Sequence, residues 1–425
     1  MDRSLLKKAA IQSVALMVAI ITFSYASLQY QTIEIYASNL KEVDTMDTKE
    51  ELQTAPVTDN ALTIPVDKSA ATEPANMATS LHELENQMDV KLKQQLSENY
   101  LVIKKPAVDD TTISLEDIYI KKSIKIVLTG EFDEEWNSSK VMRVRGEDYF
   151  LGEPAYTEIV TQEEDKEDGS IKESITKDYG KEISQNITFS TAVDKETGLT
   201  RCEILLELDK VYAYEIYEDK NYFFIDLREP SDVYDRVLVI DPGHGGKDAG
   251  ALSKGEKYYE KNINLGIVLA LKELLDKEDI KVYYTRTTDE TVFLRPRVTL
   301  ANAVNCDYFI SIHCNSNVVT SPNGMEVLYY DTEYKGIASG DLANLFSQEL
   351  GKTVGLRNRG TILKRMGDIF IMDKAQVPMI LIEIGYMSNS KDLSYLVEPK
   401  NHGVIAEGIY NSIMRAFEEL PVRED

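Results

Sequence analysis

The chain has 425 residues, a formal net charge of −25, 43% hydrophobic residues and 28% charged residues. This length is too great for one compact core and predicts two or three folded units, while the composition excludes a wholly disordered chain and a multi-span membrane protein. The acidic excess excludes nucleic acid as a main partner, and three cysteines are too few for a disulfide framework.

The negative charge is distributed unevenly along the chain. Residues 1–28 carry a net charge of +2, residues 29–230 a net charge of −21, and residues 231–425 a net charge of −6. We therefore expect three regions of different electrostatic character, with most of the acidic excess outside the C-terminal region.

The N-terminal segment is predicted to direct export. Residues 9–28 carry no charge and are long enough to cross a hydrocarbon core as a helix. The basic residues Arg3, Lys7 and Lys8 precede them, which predicts a cytoplasmic N-terminus. A cleaved signal sequence is the alternative to a transmembrane anchor, because residues 24–26 (SYA) have small residues at a spacing that suits signal peptidase. Both alternatives place the rest of the chain outside the cytoplasm.

Residues 29–110 are predicted to form a flexible acidic tether. They are rich in Thr, Asp, Glu, Ala, Asn and Pro, a composition that buries too little apolar surface to offset the entropy of ordering. Apolar residues recur at helical spacing from Leu81 to Leu96, which predicts a short helix near residues 80–100. His82 lies in this stretch and is interpreted as a solvated helix residue.

Residues 111–230 are predicted to form a smaller, mostly β accessory domain. The segments SIKIVLTG, CEILLEL and NYFFIDLRE have strand-like compositions, and the acidic run TQEEDKEDGS among them is interpreted as a solvated loop. We identify no catalytic constellation in this region.

Strand-like and helix-like segments alternate from residue 233 to residue 421. RVLVIDP, KVYYTR, YFISIHC, MEVLYY and PMILIEIGY are predicted strands, and INLGIVLALKELLDKE, RVTLANAVN, SGDLANLFSQELGKTV and NHGVIAEGIYNSIMRAFEEL are predicted helices. This alternation predicts an α/β domain with a twisted, mostly parallel or mixed sheet flanked by helices. In such folds the functional residues lie at strand ends and in the loops that follow them.

Two of the four histidines of the chain lie at the ends of predicted strands in this domain. His244 lies in the turn PGHGG, whose glycines permit close approach of a ligand, and His313 ends the strand FISIH. The turn lacks the GxxxxGK[ST] and GxGxxG spacings of phosphate-binding loops. Cys314 must point to the opposite face of the strand from His313, and we expect it to pack in the core.

Two glutamates complete a candidate metal site. A zinc hydrolase usually takes three protein ligands and leaves one position for water, so two histidines require a carboxylate. Glu260 stands at the head of the first predicted helix of the domain, although the preference for acidic residues at helix N-termini also explains it. Glu383 lies in the apolar strand MILIEIGY, where burying a carboxylate is costly without a partner. Near a metal it is a candidate general base and general acid.

These segments, in this order, resemble the zinc-dependent N-acetylmuramoyl-L-alanine amidases. The resemblance covers about residues 235–420 and rests on DPGHGGKDAG, EKNINL, TRTTD, LRPRVTLANAVNCDYFISIHCNSN, GMEVLYY, RNRG and PMILIEIGYMSNSKD. It implies one Zn²⁺ held by His244, Glu260 and His313, with Glu383 as the catalytic residue. The implied reaction is cleavage of the peptidoglycan amide between N-acetylmuramic acid and the L-alanine of the stem peptide.

Other parts of the sequence fit this resemblance with mild departures. Tyr386 stands where phenylalanine is common in the family, and the closing YFFIDLREP of the β region resembles small modules that hold some wall amidases near the septum or the wall. Some members carry a regulatory helix that blocks the metal, and the short segment 314–323 leaves no room for one. Further candidates for the substrate groove are Arg286, Arg297, Asn302 and Asn315. Capping or bracing a helix is the alternative explanation for Arg297 and Asn302.

Two alternative functions stay open at this point. One alternative to an amidase is a zinc peptidase that acts on wall peptides, and the other is a non-catalytic wall-binding protein. Product analysis distinguishes both from an amidase. The expected partners are peptidoglycan and, through the N-terminal segment, a membrane. A protein activator is not identified.

Overall fold

A computed structural model describes residues 62–67, 81–106, 111–130, 132, 136–164, 171–193 and 198–420. The predicted membrane segment at 1–28 and most of the predicted tether lie outside these residues. Among the helices that the structure describes, none is both long and apolar enough to cross a membrane.

The strands and helices of the described residues are as follows. The strands are β1 (Leu62–Asp67), β2 (Asn99–Lys104), β3 (Thr112–Ile118), β4 (Ser123–Gly130), β5 (Val141–Arg145), β6 (Asp148–Leu151), β7 (Thr157–Glu164), β8 (Ile171–Asp178), β9 (Ser184–Val193), β10 (Thr200–Leu208), β11 (Ala213–Glu218), β12 (Tyr222–Arg228), β13 (Val237–Pro242), β14 (Lys281–Tyr284), β15 (Tyr308–Asn315), β16 (Met325–Tyr329), β17 (Glu333–Tyr334), β18 (Ile337–Ala338), β19 (Asn358–Leu363) and β20 (Met379–Tyr386). The α-helices are α1 (Leu81–Gln87), α2 (Val90–Gln95), α3 (Pro230–Val233), α4 (Glu260–Leu275), α5 (Leu294–Ala303), α6 (Ser339–Thr353), α7 (Phe370–Lys374), α8 (Ser390–Leu396) and α9 (Pro399–Glu419).

The C-terminal region contains a mixed six-stranded sheet in the order β14-β13-β15-β20-β16-β19. Strands β14, β13, β15 and β20 are parallel, whereas β16 is antiparallel to β20 and parallel to β19. The carboxyl ends of the four parallel strands therefore share one edge of the sheet, and β16 begins at that same edge. This α/β architecture confirms the fold class predicted for the C-terminal region.

Helices cover both faces of this sheet because the strand side chains alternate between two cores. Leu238 and Ile240 of β13 join the core formed with α4, α6 and α9, whereas Val237 and Val239 join the core formed with α5 and α7. In α4, Ile263, Ile267 and Leu271 are buried at helical spacing, as the amphipathic pattern predicts.

The preceding region, β2 to β12, contains two antiparallel sheets. One has the order β11-β12-β2-β5-β6 and the other the order β3-β4-β10-β9. Their facing side chains form a common core, which includes Leu101 and Ile225 from the first sheet and Ile126 and Ile204 from the second. A third sheet has the order β1-β7-β8.

The prediction of a flexible tether up to residue 110 is wrong for its last part. Asn99–Lys104 is a strand inside the five-stranded sheet, and Leu84, Met88 and Leu92 pack against the outer face of that sheet. The single helix expected near 80–100 is two short helices, and Asp89 caps the second by accepting a hydrogen bond from the backbone of Lys91 (2.8 Å). These apolar side chains cover one surface of the sheet. The polar composition of the surrounding residues gave no indication of this packing.

Tyr119 connects the two regions. Its hydroxyl accepts a hydrogen bond from the backbone N–H of Tyr284 (3.0 Å), and its ring meets that of Tyr283 edge-on, with centroids 4.9 Å apart. Ile120 and Val211 of the strand-rich region contribute to the same apolar cluster as β13 and α5. The strand-rich region therefore covers part of one face of the C-terminal sheet.

Candidate metal centre and active site

Three predicted ligand residues meet at the carboxyl edge of the parallel strands. His244 follows β13, His313 lies near the end of β15, and Glu260 is the first residue of α4. Because β13 and β15 are hydrogen-bonded neighbours, their ends bring the two histidines together. One ligand atom from each of the three residues lies within 4.8 Å of the others, so the cluster can hold a metal ion. Their assignment as zinc ligands stays a prediction.

Glu260 lies between the two imidazoles. One carboxylate oxygen is 3.2 Å from Nε2 of His244, and the other is 2.9 Å from Nδ1 of His313. Backbone N–H groups of Ala251 and Cys314 donate to the same two oxygens at 2.8 and 2.9 Å. Burial opposes ionisation of Glu260, but the hydrogen bonds from His244 and His313 outweigh it and lower its pKa. The cluster therefore contains a fixed anion between two imidazoles.

The glycines of the PGHGG turn and its continuation allow this close packing. His244 has a positive φ of 63°, a conformation that is rare for residues with a side chain. A Cβ atom on Gly243 would lie 2.2 Å from the ring of His313, and one on Gly250 would lie 2.6 Å from both Glu260 and His244. Larger residues at these positions would therefore displace the cluster.

Asp248 orients His244 and was not predicted. Its carboxylate is 2.8 Å from Nδ1 of His244, which leaves Nε2 directed toward Glu260. Burial would lower the pKa of His244, but the hydrogen bonds and charges of Glu260 and Asp248 raise it to about 9. The short spacing of four residues within the turn was the only sequence signal for Asp248.

Two predicted groove residues, Arg286 and Arg297, instead brace the His244 turn. Arg286 is buried and donates to the backbone carbonyls of Pro242 (3.0 Å) and Gly243 (2.9 Å). Arg297 is also buried, pairs with Asp241 and donates to the carbonyl of His244 (2.7 Å). Their guanidinium groups are therefore engaged with the backbone that positions the histidine.

Glu383 lies directly beside His313 in the sheet. The two residues are paired in register across β15 and β20. The Oε2 atom of Glu383 is buried and has no hydrogen-bond partner among the described residues. Burial and the negative charges of Glu260 and Glu326 raise the pKa of Glu383 well above its usual range. A raised pKa makes the carboxylate a stronger base, which suits proton transfer.

Glu326 is a second buried carboxylate that sequence reasoning missed. It faces Glu383 across the antiparallel pair β16 and β20. It is paired with Arg359 and accepts a hydrogen bond from the hydroxyl of Tyr386 (3.0 Å), while Nδ2 of Asn315 lies 3.4 Å away. The sequence contained an indication of this residue, because Glu326 lies in the apolar segment MEVLYY just as Glu383 lies in MILIEIGY.

The other predicted residues have structural settings. Asn302 bridges to the segment after α7, donating to the carbonyl of Lys374 (2.9 Å) and accepting from the N–H of Gln376 (2.9 Å). Cys314 is a free, buried thiol in the core, on the opposite face from His313 as expected. His82 is exposed, as predicted.

The fold and this cluster define an α/β domain with a site that can hold a cation. The sequence of residues 238–415 matches the family model described as N-acetylmuramoyl-L-alanine amidase. The chain is 33% identical to the N-acetylmuramoyl-L-alanine amidase CwlM of Bacillus licheniformis over 42% of its own length and 68% of that relative. The chain belongs to the N-acetylmuramoyl-L-alanine amidase family.

Other relatives cover the same region. The N-acetylmuramoyl-L-alanine amidase LytC of Bacillus subtilis is 32% identical over 45% of the chain, and the match spans only 37% of that relative's length. The structure of the catalytic domain of CwlV, an amidase from Bacillus (Paenibacillus) polymyxa var. colistinus, aligns with a TM-score of 0.40 and 33% identity over 44% of the chain and 99% of that domain.

Proposed function

We propose that the chain hydrolyses the amide bond between N-acetylmuramic acid and the L-alanine of the stem peptide in peptidoglycan. Membership of the amidase family supports this substrate. The observation that carries the proposal is the cluster of His244, Glu260 and His313 with Glu383 beside it at one edge of the sheet. A metal-dependent hydrolytic site combines these two parts, a cation position and a proton-transfer group.

We infer that the cation is one Zn²⁺ ion. The donor set consists of two imidazole nitrogens and one carboxylate, which is a usual set for a catalytic zinc site. The carboxylate of Glu260 reaches both imidazoles, so all three donors converge on one position. When bound, zinc supplies a Lewis acid that polarises the amide carbonyl and activates water near neutral pH.

Glu383 is the proposed acid and base. In this role its carboxylate takes a proton from the attacking water as the water oxygen bonds to the amide carbon. The same carboxyl group then delivers that proton to the nitrogen of L-alanine as the carbon–nitrogen bond breaks. The buried Oε2 of Glu383, which has no hydrogen-bond partner in the part of the chain that the structure describes, supports this role, because a carboxylate already engaged in hydrogen bonds is a weaker base.

Access to the site is proposed to need no release of a blocking helix. Residues 316–324 connect β15 to β16 without a helix. Two hydrogen bonds hold this connection. The backbone N–H of Asn317 donates to the hydroxyl of Ser388 (3.0 Å), and the side-chain amide of Asn389 donates to the carbonyl of Thr320 (2.7 Å). We therefore expect the purified full-length chain to cleave peptidoglycan without an added protein.

We further propose that the enzyme is exported. The apolar segment at 9–28 would anchor it in a membrane with a cytoplasmic N-terminus, or would be cleaved to release it. In this proposal the remaining acidic tether and the strand-rich accessory domain hold the catalytic domain near the wall. Fractionation of cells with an antibody against the C-terminus distinguishes a membrane-bound from a released protein.

Product analysis of digested wall tests the proposed reaction. An amidase releases the free amine of L-alanine and leaves the glycan strands intact, and we expect this result. New amines from other residues of the stem peptide would identify a zinc peptidase. Binding to the wall without any release would identify a non-catalytic wall-binding protein.

A further inference from the structure

The segment before α5 lies against the turn that carries His244. One nitrogen of Arg297 donates both to the carbonyl of Val292 (2.8 Å) and to the carbonyl of His244 (2.7 Å). The N–H of Lys247, in the same turn, donates to the hydroxyl of Thr291 (2.9 Å). Phe293 follows directly, so its backbone is held next to the turn that carries His244.

Phe293 is exposed although phenylalanine is usually buried. It is 75% exposed, and its neighbour Leu294 is 52% exposed. Of the phenylalanines that the structure describes, Phe293 alone is exposed. Exposed apolar side chains also occur in the loops next to Glu260 and after His313, namely Leu252, Val318 and Val319. Exposed apolar side chains therefore occur in three segments that adjoin the cluster residues or their turn, and grouped apolar surface is typical of a binding site.

Phe293 occupies a helix position that favours a different residue. It is the N-cap residue of α5, and its side chain makes no capping hydrogen bond. Serine, threonine, aspartate and asparagine are preferred there because their oxygen accepts a hydrogen bond from the first turn. The aromatic ring gains neither burial nor capping, so its presence has no structural advantage within the chain.

We propose that Phe293, with Leu294 beside it, is a stacking surface for a sugar ring of the glycan strand. The inference rests on the proposed function. The scissile amide is attached to one sugar of a continuous strand, so neighbouring sugars must pass over the rim of the metal cluster. The C–H face of a pyranose ring is apolar and matches the face of an aromatic ring. Because the backbone of Phe293 is already fixed, little ordering entropy opposes the contact.

Phe293→Ser separates this role from a structural one, because serine improves the helix cap while it removes the ring. The experiment compares initial rates of L-alanine amine release by full-length protein from polymeric wall and from a single muramoyl stem peptide. We expect kcat/KM on the wall to fall about tenfold and that on the small substrate to change less than about twofold. Tm should stay the same or rise. Phe293→Tyr keeps the ring and should retain activity on the wall.

Met366→Ser is the matched control. Met366 is 66% exposed and follows β19, whose carboxyl end lies at the opposite edge of the sheet. The substitution Met366→Ser should leave the activities on the wall and on the small substrate unchanged. An equal loss on both substrates, or no loss on the wall, would overturn the proposal and leave the ring for a stem peptide or a protein partner. If the wild-type protein releases no amine from either substrate, the proposed function itself fails.

Discussion

A buried ion pair of the strand-rich region and the buried carboxylates of the candidate site differ in what satisfies their charged atoms. In the strand-rich region, Arg143 and Glu182 are both buried and form a closed pair, with Nε 2.7 Å and Nη2 3.3 Å from the two carboxylate oxygens. Arg143 also donates to the carbonyl of Gly152. The charged atoms of this pair are satisfied by the chain itself, which leaves no capacity to bind a further group.

At the candidate site of the C-terminal region, two buried carboxylates keep capacity for another group, whereas the nearby Asp241 is closed by Arg297. Glu260 reaches two imidazoles that converge on one position, and Oε2 of Glu383 has no hydrogen-bond partner among the described residues. Burying such groups costs stability unless a ligand compensates. An unsatisfied buried oxygen and a convergent set of donors, rather than buried charge as such, therefore distinguish the candidate site.

Loss of one proposed ligand should have the largest effect. His313→Ala removes one of the three donors, so we expect zinc content to fall from about one ion per chain to almost none, with loss of wall cleavage. His402→Ala is the control, since His402 contacts the carbonyl of Leu396 (2.7 Å), away from the cluster. Metal analysis after gel filtration checks both. Full zinc content in His313→Ala would remove it from the ligand set.

The closed ion pair should matter for stability alone. Arg143→Met leaves Glu182 buried and uncompensated, so we expect a loss of about 3–5 kcal/mol in the free energy of unfolding. Arg143→Met combined with Glu182→Leu should recover most of this loss, because no charge is then left unpaired. Denaturant unfolding measures both variants. If Arg143→Met is as stable as the wild type, the pair is not the structural feature that we infer.

The affinity of the site for its metal should also depend on pH, and we expect this effect to be smaller than those of the substitutions above. Without metal, His244 holds a proton below about pH 9, the value to which Glu260 and Asp248 raise its pKa. Metal binds the neutral imidazole, so each ion displaces this proton and affinity should fall about tenfold for each pH unit below about 8. Competition with a chromophoric chelator measures this slope. Asp248→Asn removes one of the groups that raise this pKa, so the fall in affinity should begin at a lower pH. A flat profile in the wild type would contradict displacement of a proton from His244.

The sequence predicted the C-terminal fold well because its strands are apolar and its helices amphipathic. It missed β19, Asn358–Leu363, which is polar, contains a glycine and lies at the edge of the sheet. It assigned β2 to the tether because NYLVIK is a short apolar run with both faces buried, which has no alternating pattern. Edge strands and short, fully buried strands carry little periodic signal.

The site residues that could be predicted were polar side chains in apolar segments, because such a side chain indicates a chemical role by its own position in the sequence. His244, His313 and Glu383 stood out as polar residues at the ends of apolar strands or within them. The roles of Arg286 and Arg297 were not predictable, because only the folded turn shows that both donate to its backbone. Long-range contacts of this kind leave no local pattern in the sequence.

Glu383→Ala, compared with wild type, is the most direct test of proton transfer by Glu383 when zinc content and muropeptide release are measured on the same samples. Glu383 is proposed to transfer protons rather than to bind the metal. We expect zinc to stay bound at about one ion per chain and muropeptide release to fall about a thousandfold. Retained release would contradict the mechanism, and loss of zinc would make Glu383 a ligand instead.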